Sequence, residues 1–183
     1  MLFRSTASGF IVHLPNLISR DQLLELRFTS SVFLQSTRFD VFLQDSRQDD
    51  SVRQRVDPGD ASELVESSTN VVSLPVSRSL LTNVVSSTRT ITPNGDAIND
   101  ELQIDIDLVN VLEERPLRLR VYDLAGRTRY ESTLAGLAGQ QTLRWGGTDQ
   151  DGRRVPPGLY LLEINVSGDS GDESVQQIVS VVF

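Results

Sequence analysis

The sequence has no cysteine, no lysine and a single histidine, His13, among its 183 residues. All 17 basic residues are arginine. Without cysteine there is no disulfide, no zinc–thiolate site and no thiol nucleophile. Without lysine there is no Schiff base and no lysine–asparagine cross-link. One histidine rules out a multi-histidine metal site within a single chain. The missing thiols say little about compartment, since such a chain is neutral in any redox environment. Positive charge is short as well: 25 acids against 17 bases give a net −8, the wrong sign for a nucleic-acid footprint. No run approaches the roughly 20 apolar residues of a membrane span. Met1 to Pro15 also lacks the build of a signal peptide. Its apolar piece, Gly9 to Leu14, is short, carries His13, and has no small-residue cleavage site after it. If the protein is exported, its targeting information is expected outside this chain.

What is present is a foldable composition, with 38% apolar and 23% charged residues. The apolar pattern has period 2 nearly throughout, which predicts strands. Phe10, Val12 and Leu14 alternate, as do Leu24, Leu26 and Phe28, and then Phe39, Val41 and Leu43. The one helical signal is Ser19 to Glu25, with a capping box from Ser19 to Gln22, worth about one turn. Residues 45–70 are polar, with a turn at Asp57-Pro-Gly-Asp60. Val71 to Leu74 resumes as strand. Ser77 to Thr90, rich in serine and threonine, reads as a last strand of the first half, a linker, or both.

The second half alternates more cleanly. Leu102, Ile104, Ile106 and Leu108 share one face of a strand, and Gln103, Asp105 and Asp107 the other. Leu117 to Tyr122 and Arg127 to Leu134 read as a hairpin around Asp123-Leu-Ala-Gly126. Gln141 to Trp145, Leu159 to Val166 and Val175 to Phe183 follow, separated by Gly/Asp-rich turns. Short strands with turn signals about every 8–12 residues predict an all-β protein of β-sandwich type. Two consecutive sandwich domains are expected: residues 1–86, β-sandwich-like and short of strands, and residues 87–183, Ig-like.

Four ordered motifs mark residues 91–183: Ile91-Thr-Pro-Asn-Gly-Asp-Ala-Ile-Asn-Asp100, Val121-Tyr-Asp-Leu-Ala-Gly-Arg127, Trp145-Gly-Gly-Thr-Asp-Gln-Asp-Gly152 and Val155-Pro-Pro-Gly-Leu-Tyr160. Together they resemble the immunoglobulin-like C-terminal modules of bacterial surface proteins: the gliding-motility-associated C-terminal domains and the Ig-like domain of the flagellar hook-capping protein. Two positions depart from that pattern. Ala97 stands where it has glycine, which argues against a positive φ there, and Gly146 stands where it has aspartate. The resemblance implies a module that terminates or spaces a surface protein, and in some relatives marks it for secretion. It does not imply catalysis.

Several constellations compete for chemistry. Asn94, Asp96, Asn99 and Asp100 put four oxygen-bearing side chains into seven residues, a candidate Ca²⁺ site that would stiffen a domain junction. The competing reading is turn chemistry, in which Asn and Asp side chains tie down the local backbone. Asp149 and Asp151 form a second, smaller cluster. Asp105 and Asp107 invite an acid–base reading. Pairing across strands with Arg118 and Arg120 is the simpler expectation. Trp145 and Tyr160 suit a sugar platform or, with so few aromatics, the core, Trp145 packing between the sheets.

The leading functional reading is a non-enzymatic structural or assembly module of a bacterial cell-surface or extracellular protein. It would act through strand pairing with neighbouring domains or with copies of itself, as in a filament. The apolar stretch Gly9 to Leu14 is a candidate donor strand. The alternatives are a secretion-sorting domain and a glycan- or surface-ligand-binding module. No nucleic-acid partner and no membrane span are expected.

Overall fold

The computed structural model describes residues 2–6, 9–16, 18–20, 22–45, 47, 52–59, 69–75, 79–168 and 171–183, with the side chains of 2–6 left out. Part of the 45–70 stretch and of the serine-rich segment therefore lies outside the described residues. The strands run in chain order β1 (Leu2–Thr6), β2 (Gly9–His13), β3 (Ser36–Arg38), β4 (Phe42–Leu43), β5 (Gln54–Arg55), β6 (Val71–Ser73) and β7 (Leu81–Ser86). After them come β8 (Thr90–Ile91), β9 (Leu102–Leu108), β10 (Arg115–Asp123), β11 (Thr128–Gly136), β12 (Gly139–Trp145), β13 (Gly158–Gly168) and β14 (Gly171–Val181). The class is all-β, as the period-2 pattern predicts.

The chain divides into two compact units, Met1–Ser30 with Asp40–Asn70, and Ser31–Phe39 with Val71–Phe183. In the first, β2 pairs with β1 along its whole length, from Thr6–Gly9 to Leu2–His13. The expected donor strand thus has a partner within its own chain. β4 pairs with β5, and Arg55 beside them reaches Asp40. Phe10 and Phe28 meet edge to face with centroids 5.1 Å apart. The helical turn expected at Ser19 to Glu25 is absent from its described residues, which are irregular. A single turn spends more backbone entropy than its few hydrogen bonds return unless a packed apolar face supports it. Here Leu23 and Leu24 stay 61% and 43% exposed.

The second unit is the Ig-like sandwich. One sheet has the order β11-β10-β13-β14-β8 and the facing sheet β12-β9-β7. Every inward residue of the alternating strands is apolar: Leu102, Ile104, Ile106 and Leu108 from β9, Leu117, Leu119 and Val121 from β10, Leu162, Ile164 and Val166 from β13. All ten are 1% exposed or less. Burying each leucine, isoleucine or valine contributes about 1.5–3 kcal/mol, so this double row dominates the unit's stability.

The segment ahead of residue 87 is drawn into this sandwich. β7 pairs with β9 through a register shift between Thr82 and Val85, with Asn83 at φ 49°. The chain then crosses to the other sheet, where β8 lies parallel to β14. One segment therefore edges both sheets. Asp105 and Asp107 do not meet Arg118 and Arg120 as expected, because β9 and β10 lie in different sheets. Asp105 instead accepts from Thr142 Oγ1 at 2.7 Å, Asp107 accepts from Asn83 Nδ2 at 2.6 Å, and Arg120 pairs with Glu131 at 3.3 Å.

Candidate functional site at the motif-bearing end of the sandwich

The antiparallel ladders bring the start of β9, the turn after β10, the end of β12 and the start of β13 to one end of the sandwich. All four sequence motifs are therefore neighbours. Their polar side chains are largely spent on backbone groups.

In the first loop, Asp100 Oδ1 accepts from the Gly95 N–H at 2.8 Å and Oδ2 from the Ala97 N–H at 2.6 Å. Asn94 Oδ1 accepts from the Asp96 N–H, and Asp96 Oδ1 from the Ile98 N–H. Thr92 closes the loop by donating its N–H to the Asn99 carbonyl. The Gly95 N–H, followed by those of Ala97 and Asn94 and the charge of Arg154, holds the Asp100 carboxyl below its ordinary range. Ala97 does take a positive φ, 66°, against the expectation, and Asn99 sits beside it at 54°. The capture of its N–H by Asp100 fixes Ala97 there, although its Cβ disfavours that region by about 1–2 kcal/mol. Asn94, Asp96, Asn99 and Asp100 thus stand together as expected, three of them as acceptors for the loop's own N–H groups. Among the described residues no three His, Asp or Glu gather as metal ligands.

The turn after β10 repeats the device. Asp123 Oδ1 accepts from the N–H groups of Ala125 and Arg127, and Oδ2 meets the guanidinium groups of Arg127 and Arg129 at 2.8 and 2.9 Å. These bonds, the Arg127 N–H foremost, lower its pKa to about 2. In the third motif, Asp149 Oδ1 accepts from the N–H groups of Asp151 and Arg153.

Apolar packing ties the loops together. Gly147, at φ 68°, lies under Pro93 and Ile91, so that a Cβ there would sit 3.0 Å from Pro93 Cγ. Trp145 is 1% exposed, stacks edge to face on Tyr160 at 5.6 Å, and donates Nε1–H to the Thr148 carbonyl at 2.8 Å. Tyr160 donates its hydroxyl to the Pro156 carbonyl at 2.6 Å. These two aromatics belong to the core, so neither presents a sugar platform.

Beside this end, the outer face of the larger sheet carries an open groove of about 490 Å³ lined by Tyr122, Leu124, Leu159 and Ile178. Tyr122 donates to Glu163 at 2.9 Å, and Arg120 lies 3.9 Å from the same carboxylate. A general acid needs a carboxyl raised toward neutrality. The carboxyls that depart from their ordinary range among the described residues, Asp45, Asp100, Asp105 and Asp123, all move down, into firmly ionised states. His13 lies on an exposed strand of the other unit. The signal that sequence reading missed is Gln150, whose N–H donates to the Arg129 carbonyl and whose Oε1 accepts from the Glu131 N–H at 2.9 Å. Nothing in its immediate sequence points to β11.

Comparison with known proteins places this geometry. Residues 85–181 match the family described as CHU_C Type IX secretion signal domain. No curated protein matches the chain. Among solved structures, dimeric latent PorU from Porphyromonas gingivalis is similar over 63% of this chain and 11% of its own, at 16% identity and TM-score 0.46. PorZ of the same organism, described as an essential surface component of the type IX secretion system, is similar over 55% of this chain and 12% of its own, at 18% identity and TM-score 0.37. FLGD from P. aeruginosa is similar over 53% of this chain and 71% of its own, at 22% identity and TM-score 0.36. The chain thus spans about a tenth of the length of PorU and PorZ. The expected Ig-like character of the second half holds. The family that matches is the secretion signal domain rather than either group the motifs resemble. The expectation that targeting information lies outside this chain is overturned, because the matched segment is itself of a signal class.

Proposed function

This chain belongs to the CHU_C type IX secretion signal domain family, and from that membership we propose that its sandwich is the sorting module of an exported bacterial protein. It is read by the export machinery, carries the polypeptide joined to it to the cell surface or medium, and does no chemistry of its own. The single observation behind this reading is the family match across the whole second sandwich. It reverses the order expected from sequence, in which a structural or filament module stood first and sorting second. The motif-bearing end supports it, because its carboxylates are committed to building rigid loops.

The test is a fusion of the full chain to a periplasm-targeted fluorescent reporter, expressed in a bacterium with type IX secretion and in its secretion-deficient mutant. The reporter is expected at the surface or in the medium of the first and inside the second. Retention in both, or export from both, refutes the reading.

A further inference from the structure

Four strand edges bound the sandwich, and three of them are guarded. β11 is capped by Gln150 and flanked by the charges of Arg129 and Glu131. β7 is broken by its register shift at Asn83. β12 carries Arg144, paired with Glu101 at 2.6 Å and 57% exposed. Bulges, charges and caps of this kind are how soluble proteins keep edges from pairing.

The edge of β14 has none of them. β14 pairs with β13 without a bulge from Gly168–Gly171 to Gly158–Val181, and from Ser174 to Phe183 it carries no charge, no glycine and no proline. β8 covers only its end, where Ser180 and Val182 donate their N–H groups to the carbonyls of Arg89 and Ile91. Backbone direction alternates along a strand, so the N–H and C=O groups of Ser174, Gln176 and Ile178 point to the same side, ahead of β8. Among the described residues no backbone bond from outside the β13 ladder reaches those three. All three side chains are exposed.

We infer that this edge is a two-fold interface between two copies of the chain, each β14 pairing antiparallel with the other about Gln176. Ser174 then lies opposite the partner's Ile178, and Gln176 opposite the partner's Gln176. Three such pairs exchange about six backbone hydrogen bonds. The choice of a second copy rests on self-complementarity. The window contains no charge, so the two-fold sets no like charges face to face, and the nearest acids, Asp172 and Glu173, fall outside it. β8 closes the window at Ser180 on each copy, so the assembly stops at a dimer. The inference stands independently of the sorting reading, which needs no dimer.

The test is the mass of the full chain by light scattering and sedimentation from low to high micromolar concentration. The wild type is expected to move from monomer to dimer. Gln176→Lys and Gln176→Glu, each placing like charges on the axis, are expected to stay monomeric with unchanged melting temperature. An equimolar mixture of the two should recover the dimer. Hydrogen exchange supplies an independent reading: the Ser174, Gln176 and Ile178 amides gain protection as concentration rises. A wild type that is monomeric throughout, or charge variants that dimerise as it does, overturns the inference.

Discussion

Ala97→Gly is expected to stabilise the protein although it removes a methyl group. Ala97 sits at φ 66°, on an exposed loop, held by the bond from its N–H to Asp100. An L-residue in that region costs about 1–2 kcal/mol relative to its favoured conformations. Glycine removes this cost and adds unfolded-state entropy worth about 0.4–1 kcal/mol in the opposite direction. The difference is a net gain of about 0.5–1 kcal/mol, or roughly 2–5 °C in melting temperature for a domain near 100 residues. Gly95→Ala is the mirror experiment. Gly95 stands at φ 91° with open space where its Cβ would be, so strain acts there without a clash. A loss of about 0.5–1 kcal/mol is expected. Urea denaturation at neutral pH measures both, with an unchanged m-value showing that the unfolded state is comparable. A destabilised Ala97→Gly together with a neutral Gly95→Ala would refute the argument that the loop holds these residues in the left-handed region.

Other substitutions probe the same end. Gly147→Ala combines a left-handed φ of 68° with a 3.0 Å approach to Pro93, and is expected to lose roughly 2–3 kcal/mol by the same denaturation assay. Trp145→Phe leaves the Thr148 carbonyl without its buried donor and is expected to cost about 1–3 kcal/mol. Asp123, lowered to about 2, contributes stability that is complete above its unfolded value near 4 and is lost as pH falls through about 2. Asp123→Asn should therefore flatten the acid limb of the stability profile between those pH values while leaving its shape near pH 7 unchanged, read by thermal unfolding across pH. Ca²⁺ at millimolar concentration is expected to leave the melting temperature unshifted, since Asp100 and Asp96 already spend their oxygens on N–H groups. A clear upward shift would restore the ion reading of Asn94, Asp96, Asn99 and Asp100.

The second half was legible because its strands alternate over long stretches, and long alternation leaves one face to bury. Leu102 to Leu108 is the clearest case, with four apolar residues in register and all of them 1% exposed or less. Sheet membership was not legible. Nothing in the alternation of β9 and β10 says that the chain changes sheet between them, so Asp105 and Arg120 looked like partners until topology separated them. The same holds for β7 and β8, whose placement depends on a sheet switch within a few residues of Ser87. In the first half, the alternation of Leu24, Leu26 and Phe28 predicts a strand, yet those residues are irregular. An alternating segment becomes a strand only where another backbone satisfies its N–H and C=O groups.

The chemistry of the motif-bearing end was half legible for a different reason. A cation and a tight turn ask for the same residues, since both need several oxygens within a few positions. What separates them is how many backbone N–H groups come within reach of those oxygens, and that is set by φ. Ala97 decides the case here: at φ 66° it turns its N–H toward Asp100, which the sequence discouraged because alanine has a Cβ. The edge of β14 inverts this relation. Its uncharged run from Ser174 to Phe183 is plain in the sequence, but it reads there as an ordinary core strand. Its meaning depends on the shortness of β8, two residues that leave most of an eleven-residue strand with a bare flank. Local composition therefore identifies which groups are available, and topology decides which of them are already used.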